Sequence, residues 1–169
     1  MKSEKRKWIG WVVKIVMGVN YVTLGGFGFD VKKLPFYEHL NIQEIEEYFF
    51  DDYEEFLREK KILVDHEHSI SLFIKFLEAH LSKAMAKKLK AVKQAIEGND
   101  FNIKVVQIYT NDEKVLWKTY VFVASTHWEF NLREAVFVEK KITRPKKPIV
   151  EAIRLLAPEA RLIVVGSVC

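Results

Sequence analysis

The sequence predicts an α+β domain with an antiparallel-dominated sheet. The element order is ββ–α–α–β–β–β–α–β, with a helical hairpin in the middle and a C-terminal β–α–β crossover. Three observations lead there. First, the 169 residues are 49% hydrophobic and 30% charged, the size and balance of one domain with its own core. Second, two segments carry apolar residues at steps of three and four, the period of a helix that buries one face. Third, three later segments are rich in Val, Ile, Phe and Tyr and are bounded by turn residues, as strands are. No repeat or linker divides residues 1–169, so they read as a single domain.

Residues 8–29, opening WIGWVVKIVMG, are almost wholly apolar and follow the basic residues Lys2, Lys5, Arg6 and Lys7. Length and flank suit a membrane anchor. Lys14 inside the segment argues against a span, as do Gly10, Gly18, Gly25, Gly26 and Gly28. Ile9, Trp11, Val13 and Ile15 alternate, as one face of a strand should. A β-hairpin turning at Met17-Gly18-Val19-Asn20 is the favoured reading, and the anchor is the alternative.

Residues 42–60 read as a helix, with Ile42, Ile45, Phe49, Tyr53 and Phe56 on one stripe and Asn41 as cap. Residues 69–97 read as one longer helix. Its stripe runs Ile70, Phe73, Leu77, Leu81, Met85, Leu89, Val92 and Ile96, and Gly98 ends it. These two helices should pack through their stripes, with Phe49, Tyr53 and Leu77 in the core. Strands follow at about 101–109, 114–124 and 130–142, turning at Asn111-Asp112 and at Ser125-Thr126. Pro148 suits the first turn of a helix over 148–157, which Pro158 ends. Leu162-Ile163-Val164-Val165 is a continuous apolar run, the pattern of a strand covered on both faces.

The net charge is 27 − 23 = +4, compatible with nucleic acid or an anionic surface without demanding either. Residues 44–59 carry eight acids against one base, and residues 75–93 carry six lysines against one acid. Opposed faces of a helical hairpin explain this distribution, and a lysine-studded helix docking on phosphates is the alternative. Cys169 is the only cysteine. No disulfide can form within the chain, no disulfide-linked partner is expected, and a cytoplasmic location fits.

Most chemical signatures are absent. There is no GxxxxGK[ST], GxSxG or HExxH motif. Gly25, Gly26 and Gly28 lack the spacing of a dinucleotide loop and read as strand or turn glycines. Asp65-His66-Glu67-His68 is the only histidine cluster. It reads as a polar helix start capped by Asp65 or Ser69 rather than as a metal site. His127 and Glu129 match half of the zinc-deaminase pattern, but the cysteine half is missing.

The sheet offers more. If 114–124 and 130–142 form a hairpin with Ser125-Thr126 at its tip, Lys118 faces Arg133 and Asp112 faces Glu139. One face then collects Val115, Trp117, Val121, Leu132, Val136 and Val138. The other collects Asp112, Lys114, Lys118, Arg133, Glu139 and Lys141, with two carboxylates and a lysine at one edge.

This pattern resembles the PD-(D/E)XK nuclease superfamily, whose α–β–β–β–α–β core matches the order of residues 69–168. Glu139-Lys140-Lys141 matches its Glu-x-Lys, and Asp112 matches its lone acid. The resemblance implies that Asp112 and Glu139 bind Mg²⁺ or Mn²⁺ and that Lys141 orients the attacking water, giving Glu139 and Lys141 catalytic roles. Two carboxylates suit a hard cation, which lowers the pKa of bound water. Lys114, Lys118 and Arg133 would then meet phosphates. Where the family often has proline before the acid, Thr110-Asn111 stands here. The same element order also resembles the GNAT acetyltransferases, but Arg144-Pro145-Lys146-Lys147-Pro148-Ile149 lacks the glycines of their pyrophosphate loop. The expected function is therefore action on nucleic acid, as a divergent metal-dependent nuclease. The alternative is a non-enzymatic module that binds a protein or ligand, tethered to a membrane if residues 8–29 are an anchor.

Overall fold

The computed structural model describes residues 21–42, 45–109, 117–123, 127–130 and 144–168. The hairpin turn at 17–20 and the strand before it lie outside them, as do the turns at 111–112 and 125–126 and residues 131–142 of the third predicted strand. The fold is α+β with an antiparallel sheet. Its elements are β1 (Tyr21–Asp30), α1 (Ile45–Glu59), β2 (His68–Ser69), α2 (Ile70–Ala79), α3 (Lys83–Ala86), α4 (Lys90–Glu97), β3 (Asn102–Tyr109), β4 (Trp117–Val123), β5 (His127–Phe130), α5 (Lys147–Leu156) and β6 (Arg161–Val168).

β1 organises the sheet. Along one side it pairs with β6, from Tyr21↔Val168 to Gly28↔Arg161. Along the other it pairs with β5 (Val22↔Phe130 to Gly25↔His127) and then with β4 (Gly28↔Phe122 to Asp30↔Tyr120). All three pairings are antiparallel, so β4, β5 and β6 run the same way. The outer side of β4 takes β3 (Ile103↔Val123 to Tyr109↔Trp117), and β2 closes the far edge against β3. The chain from β5 through α5 to β6 is a crossover over β1.

This register corrects the predicted hairpin. Tyr120, Val121 and Phe122 have β3 on one side and β1 on the other, so neither side is left for residues 129–131. Glu129 and Phe130 pair instead with Thr23 and Val22. The chain keeps its direction from β4 to β5. Two residues separate Gly25 from Gly28 on β1, and four separate His127 from Phe122, so β5 follows β1 in a register displaced from that of β4.

The side chains alternate as strands require. Phe27, Phe29, Ile103, Val105, Val121 and Val123 face the helices and join the main core. Leu24, Val106, Ile108, Tyr120 and Phe122 form a second buried cluster on the opposite face. Lys118 belongs to that second face, two residues from Tyr120, so the charged face predicted around it is apolar at its described centre. Leu162, Ile163 and Val164 are half-buried. The run expected to be covered on both faces is thus a partly covered strand beside β1.

The helical layer follows its apolar stripes. Phe49, Tyr53 and Leu57 of α1 are buried with Phe73, Phe76 and Leu77 of α2. Their rings meet edge-on, with Tyr53 and Phe76 centroids 5.1 Å apart and Phe49 and Phe76 5.5 Å apart, a geometry that adds to plain burial. The predicted helix over 69–97 is broken. The Ser69 hydroxyl caps α2 by accepting from Ser71 N at 3.1 Å, and His80 closes it. His80 donates its backbone N–H to Leu77 O at 3.1 Å and directs Nδ1 at Phe76 O at 2.8 Å. The freed His80 carbonyl accepts from Asn41 N at 2.7 Å. The Ser82 hydroxyl then caps α3 by accepting from Met85 N. A serine cap and a satisfied histidine outweigh the continuous stripe. In α5, Pro148 lies in the first turn, and the helix ends at Leu156, before Pro158.

Burial shifts three titratable groups of this layer. The Tyr53 hydroxyl bonds His68 Nε2, and His68 Nδ1 lies 2.9 Å from His66 O. A carbonyl only accepts, so Nδ1 carries the proton and Nε2 accepts from the phenol. Burial holds His68 below the ordinary histidine value of 6.5 and pushes the Tyr53 phenol up. Glu54 on α1 moves the other way: burial and the nearby charges of Asp51 and Asp65 push it up to about 7.

Two measurements test this packing. A methyl at Gly28 would stand 1.9 Å from Val121 O, whereas one at Gly98 meets nothing within 4 Å. Gly28→Ala should destabilise by at least about 1–3 kcal/mol in urea unfolding, as overpacking does. Gly98, at φ −85° and ψ −17°, should tolerate Ala with a gain of about 0.4–1 kcal/mol. For His68, the unfolded chain binds a proton near 6.5 and the folded chain only at lower pH. Its contribution is therefore complete above 6.5 and declines as pH falls. Glu54 opposes this, because the folded chain holds its proton up to about pH 7. The difference in melting temperature between the wild type and His68→Gln should therefore shrink from pH 7.5 to 5, with both pH values taken as working points roughly one unit or more either side of histidine titration.

Candidate nucleic-acid interface

Of the residues singled out in the sequence, Asp112, Lys114, Arg133, Glu139 and Lys141 lie outside the described residues. Lys118 sits in β4 opposite Ile108. The cross-strand pairs that would gather these residues on one charged face depend on the hairpin that β1 displaces.

The histidine cluster resolves as a structural feature. His68 is buried against Tyr53. Ser69 caps α2 and donates its hydroxyl to Asp100 Oδ1 at 2.8 Å. Among the described residues, no group of three His, Cys, Asp or Glu side chains is placed to hold a metal ion. No helix among them is long and apolar enough to cross a membrane.

Among the described residues, a concave surface that gathers one sign of charge lies where β6 and α5 meet. A cleft of about 540 Å³ is lined by Arg144, Lys147, Arg154 and Arg161, on a floor that includes Phe27 and Leu162. No carboxylate lines it among the described residues. The local fold places each cation. Arg144 stands just before Pro145, on the approach to α5. Pro148 fixes the first turn of α5 and so the position of Lys147 beside it. Arg154 lies two helical turns on, on the same face as Lys147. Its Nε donates to Ala160 O at 3.2 Å, and its guanidinium lies 5.6 Å from the Phe27 ring centroid. These contacts fix the planar head of Arg154 at the entry to β6. Arg161 opens β6 opposite Gly28 and is exposed.

Little offsets this charge. Lys147 reaches Glu151 at 4.0 Å, but both side chains are largely exposed, where such a pair is worth about 0–1 kcal/mol. α4 packs against α5, which brings the lysine-rich segment into the same layer. Lys83, Lys87, Lys88, Lys90 and Lys93 are exposed there, and Lys93 pairs with Glu78 of its own segment at 3.1 Å.

Arg161 also lines a second cleft, of about 410 Å³. Asp30, Lys33, Tyr120 and Glu159 line this one, so it mixes acids, a base and a phenol. Asp30 Oδ1 accepts from Lys32 N at 3.0 Å, which fixes the carboxylate. Burial and the Asp30 charge push the Tyr120 phenol up to about 12, so it stays protonated near neutral pH and can donate a hydrogen bond.

Sequence reasoning passes over this basic cleft. Arg144, Lys146 and Lys147 enter it only as a pyrophosphate loop without glycines, and Arg161 only as the residue before an apolar run. The available signal is the basic run before Pro148 with Arg154 seven residues after Lys147, which places both on one helical face. No protein-family model matches the chain, and neither a curated protein nor a solved structure matches it.

Proposed function

We propose that the protein binds nucleic acid, through the cleft between α5 and β6. The observation that carries this reading is four basic residues lining one cavity with no described carboxylate among them. Phosphodiesters supply the complementary charge, and guanidinium groups meet phosphate oxygens in pairs of charge-assisted hydrogen bonds. The exposed lysines of α3 and α4 would raise the local potential and speed encounter. The cytoplasmic location expected from the cysteine content suits such a ligand. The cleft supports binding; cleavage in a Mg²⁺ or Mn²⁺ series would add the catalytic function that the nuclease resemblance implies for Asp112, Glu139 and Lys141.

Binding is measured by anisotropy of labelled DNA and RNA oligonucleotides across a salt series. Affinity should fall steeply with salt, as counterion release requires. Arg144→Glu with Lys147→Glu changes exposed side chains and should leave the melting temperature nearly unchanged. It should weaken binding by roughly tenfold or more and lower the salt slope by about one for each phosphate that is no longer neutralised. No binding at low salt, or binding indifferent to this pair of substitutions, would overturn the proposal.

A further inference from the structure

We infer that the basic cleft holds a terminal phosphate monoester, as at the phosphorylated end of a strand. This rests on the nucleic-acid reading and deepens it by naming the group that is recognised. A surface that tracks the internal phosphates of a strand spreads its cations along a groove. Here Arg144, Lys147, Arg154 and Arg161 line one volume of about 540 Å³. A phosphodiester brings one negative charge to such a site, whereas a monoester brings about −1.5 to −2 and three strong acceptor oxygens. The monoester therefore gains more from cations gathered around one volume.

The cleft favours the more highly charged group in three further ways. First, the fold holds Arg154 by its Nε–H, which donates to Ala160 O at 3.2 Å, and by the Phe27 ring, whose centroid lies 5.6 Å from the guanidinium. The two terminal nitrogens have no hydrogen-bond partner among the described residues, and their fork matches two phosphate oxygens at once. Second, α5 begins at Lys147 with no acid in its first turn and no capping bond from the Lys146 side chain. The positive end of the helix dipole thus adds to the cations instead of being cancelled. Third, the acids of the adjoining elements offset little of this charge. Glu151 reaches Lys147 at 4.0 Å with both side chains largely exposed. Asp30 and Glu159 line the second cleft together with Lys33. The exposed lysines of α4, which packs against α5, carry the same sign as the cleft.

The second proton of a phosphate monoester leaves at about pH 6. Above that value the group is a dianion, and below it the charge falls to that of a diester. Preference for a phosphorylated end is therefore full above about pH 7 and declines as pH falls through about 6. A free nucleoside monophosphate carries the same group, and the experiment separates the two sources.

Anisotropy is measured with the full-length protein and one internally labelled single strand in three forms: 5′-phosphorylated, 3′-phosphorylated and unphosphorylated. One phosphorylated form should bind about tenfold more tightly than the unphosphorylated strand at about pH 7.5, and the ratio should shrink several-fold at about pH 5. The unphosphorylated strand is measured at each pH, so changes in the protein itself cancel in the ratio. Arg154→Lys keeps the charge and removes the fork, and Lys147→Gln alters an exposed side chain. Each should reduce the ratio several-fold; melting temperature checks the fold, and Lys147→Gln carries the test if Arg154→Lys unfolds. If 5′-AMP displaces the phosphorylated strand at comparable concentration, the monoester comes from a free nucleotide; if it does not, the monoester is held as the end of a strand. Equal affinity for the three forms, or a ratio indifferent to pH and to both substitutions, would overturn the monoester assignment and leave the cleft as a general phosphate-binding surface. Absence of binding by every form at low salt would overturn the nucleic-acid reading as well.

Discussion

β1 and β4 approach each other closely at Gly28, and the sheet is assembled around that contact. With no Cβ at Gly28, the backbones of the two strands can come together where a methyl would stand 1.9 Å from Val121 O. That approach joins the two halves of the sheet. β2, β3 and β4 lie on one side of it, and β6 lies on the other. The same residue pairs with Arg161 across the opposite edge. The position of Arg161, and with it the common wall of the two clefts, is thus set by the glycine that lets the sheet close.

The helical layer is built differently. Its cohesion comes from a cluster of aromatic rings in which Phe49, Tyr53, Phe73 and Phe76 meet at 5.1–6.3 Å. The break between α2 and α3 lets the chain turn without leaving polar groups unsatisfied, because His80 and Ser82 each close one helix end. After the break, α4 reaches α5, which carries one side of the basic cleft. The aromatic core of the helical layer therefore stands behind the charged surface that α5 presents.

Local signals in the sequence are legible where one interaction dominates. The stripe of α1, the cap at Ser69, the prolines around α5 and the strand character of Gly25, Gly26 and Gly28 all rest on contacts within a few residues. Long-range pairing is not legible. Ser125-Thr126 looks like a hairpin tip, and nothing local shows that β1, almost a hundred residues earlier, occupies the side of β4 that the hairpin needs. The continuous stripe over 69–97 also misleads, because periodicity does not reveal that His80 and Ser82 can satisfy helix ends at that point. The basic cleft is hidden for a related reason. Arg144 and Arg161 are seventeen positions apart, and only the crossover through α5 brings them to one cavity.

The proposed ligand enters at the junction of β1, α5 and β6. Backbone hydrogen exchange, with and without a single-stranded oligonucleotide, tests it most directly because it reads the whole chain at once. Added protection should be confined to residues around Phe27, 144–154 and 160–162, with the amides of β1 already the slowest to exchange in the free protein. Protection that falls on residues 45–69 instead, with these segments unchanged, would contradict it.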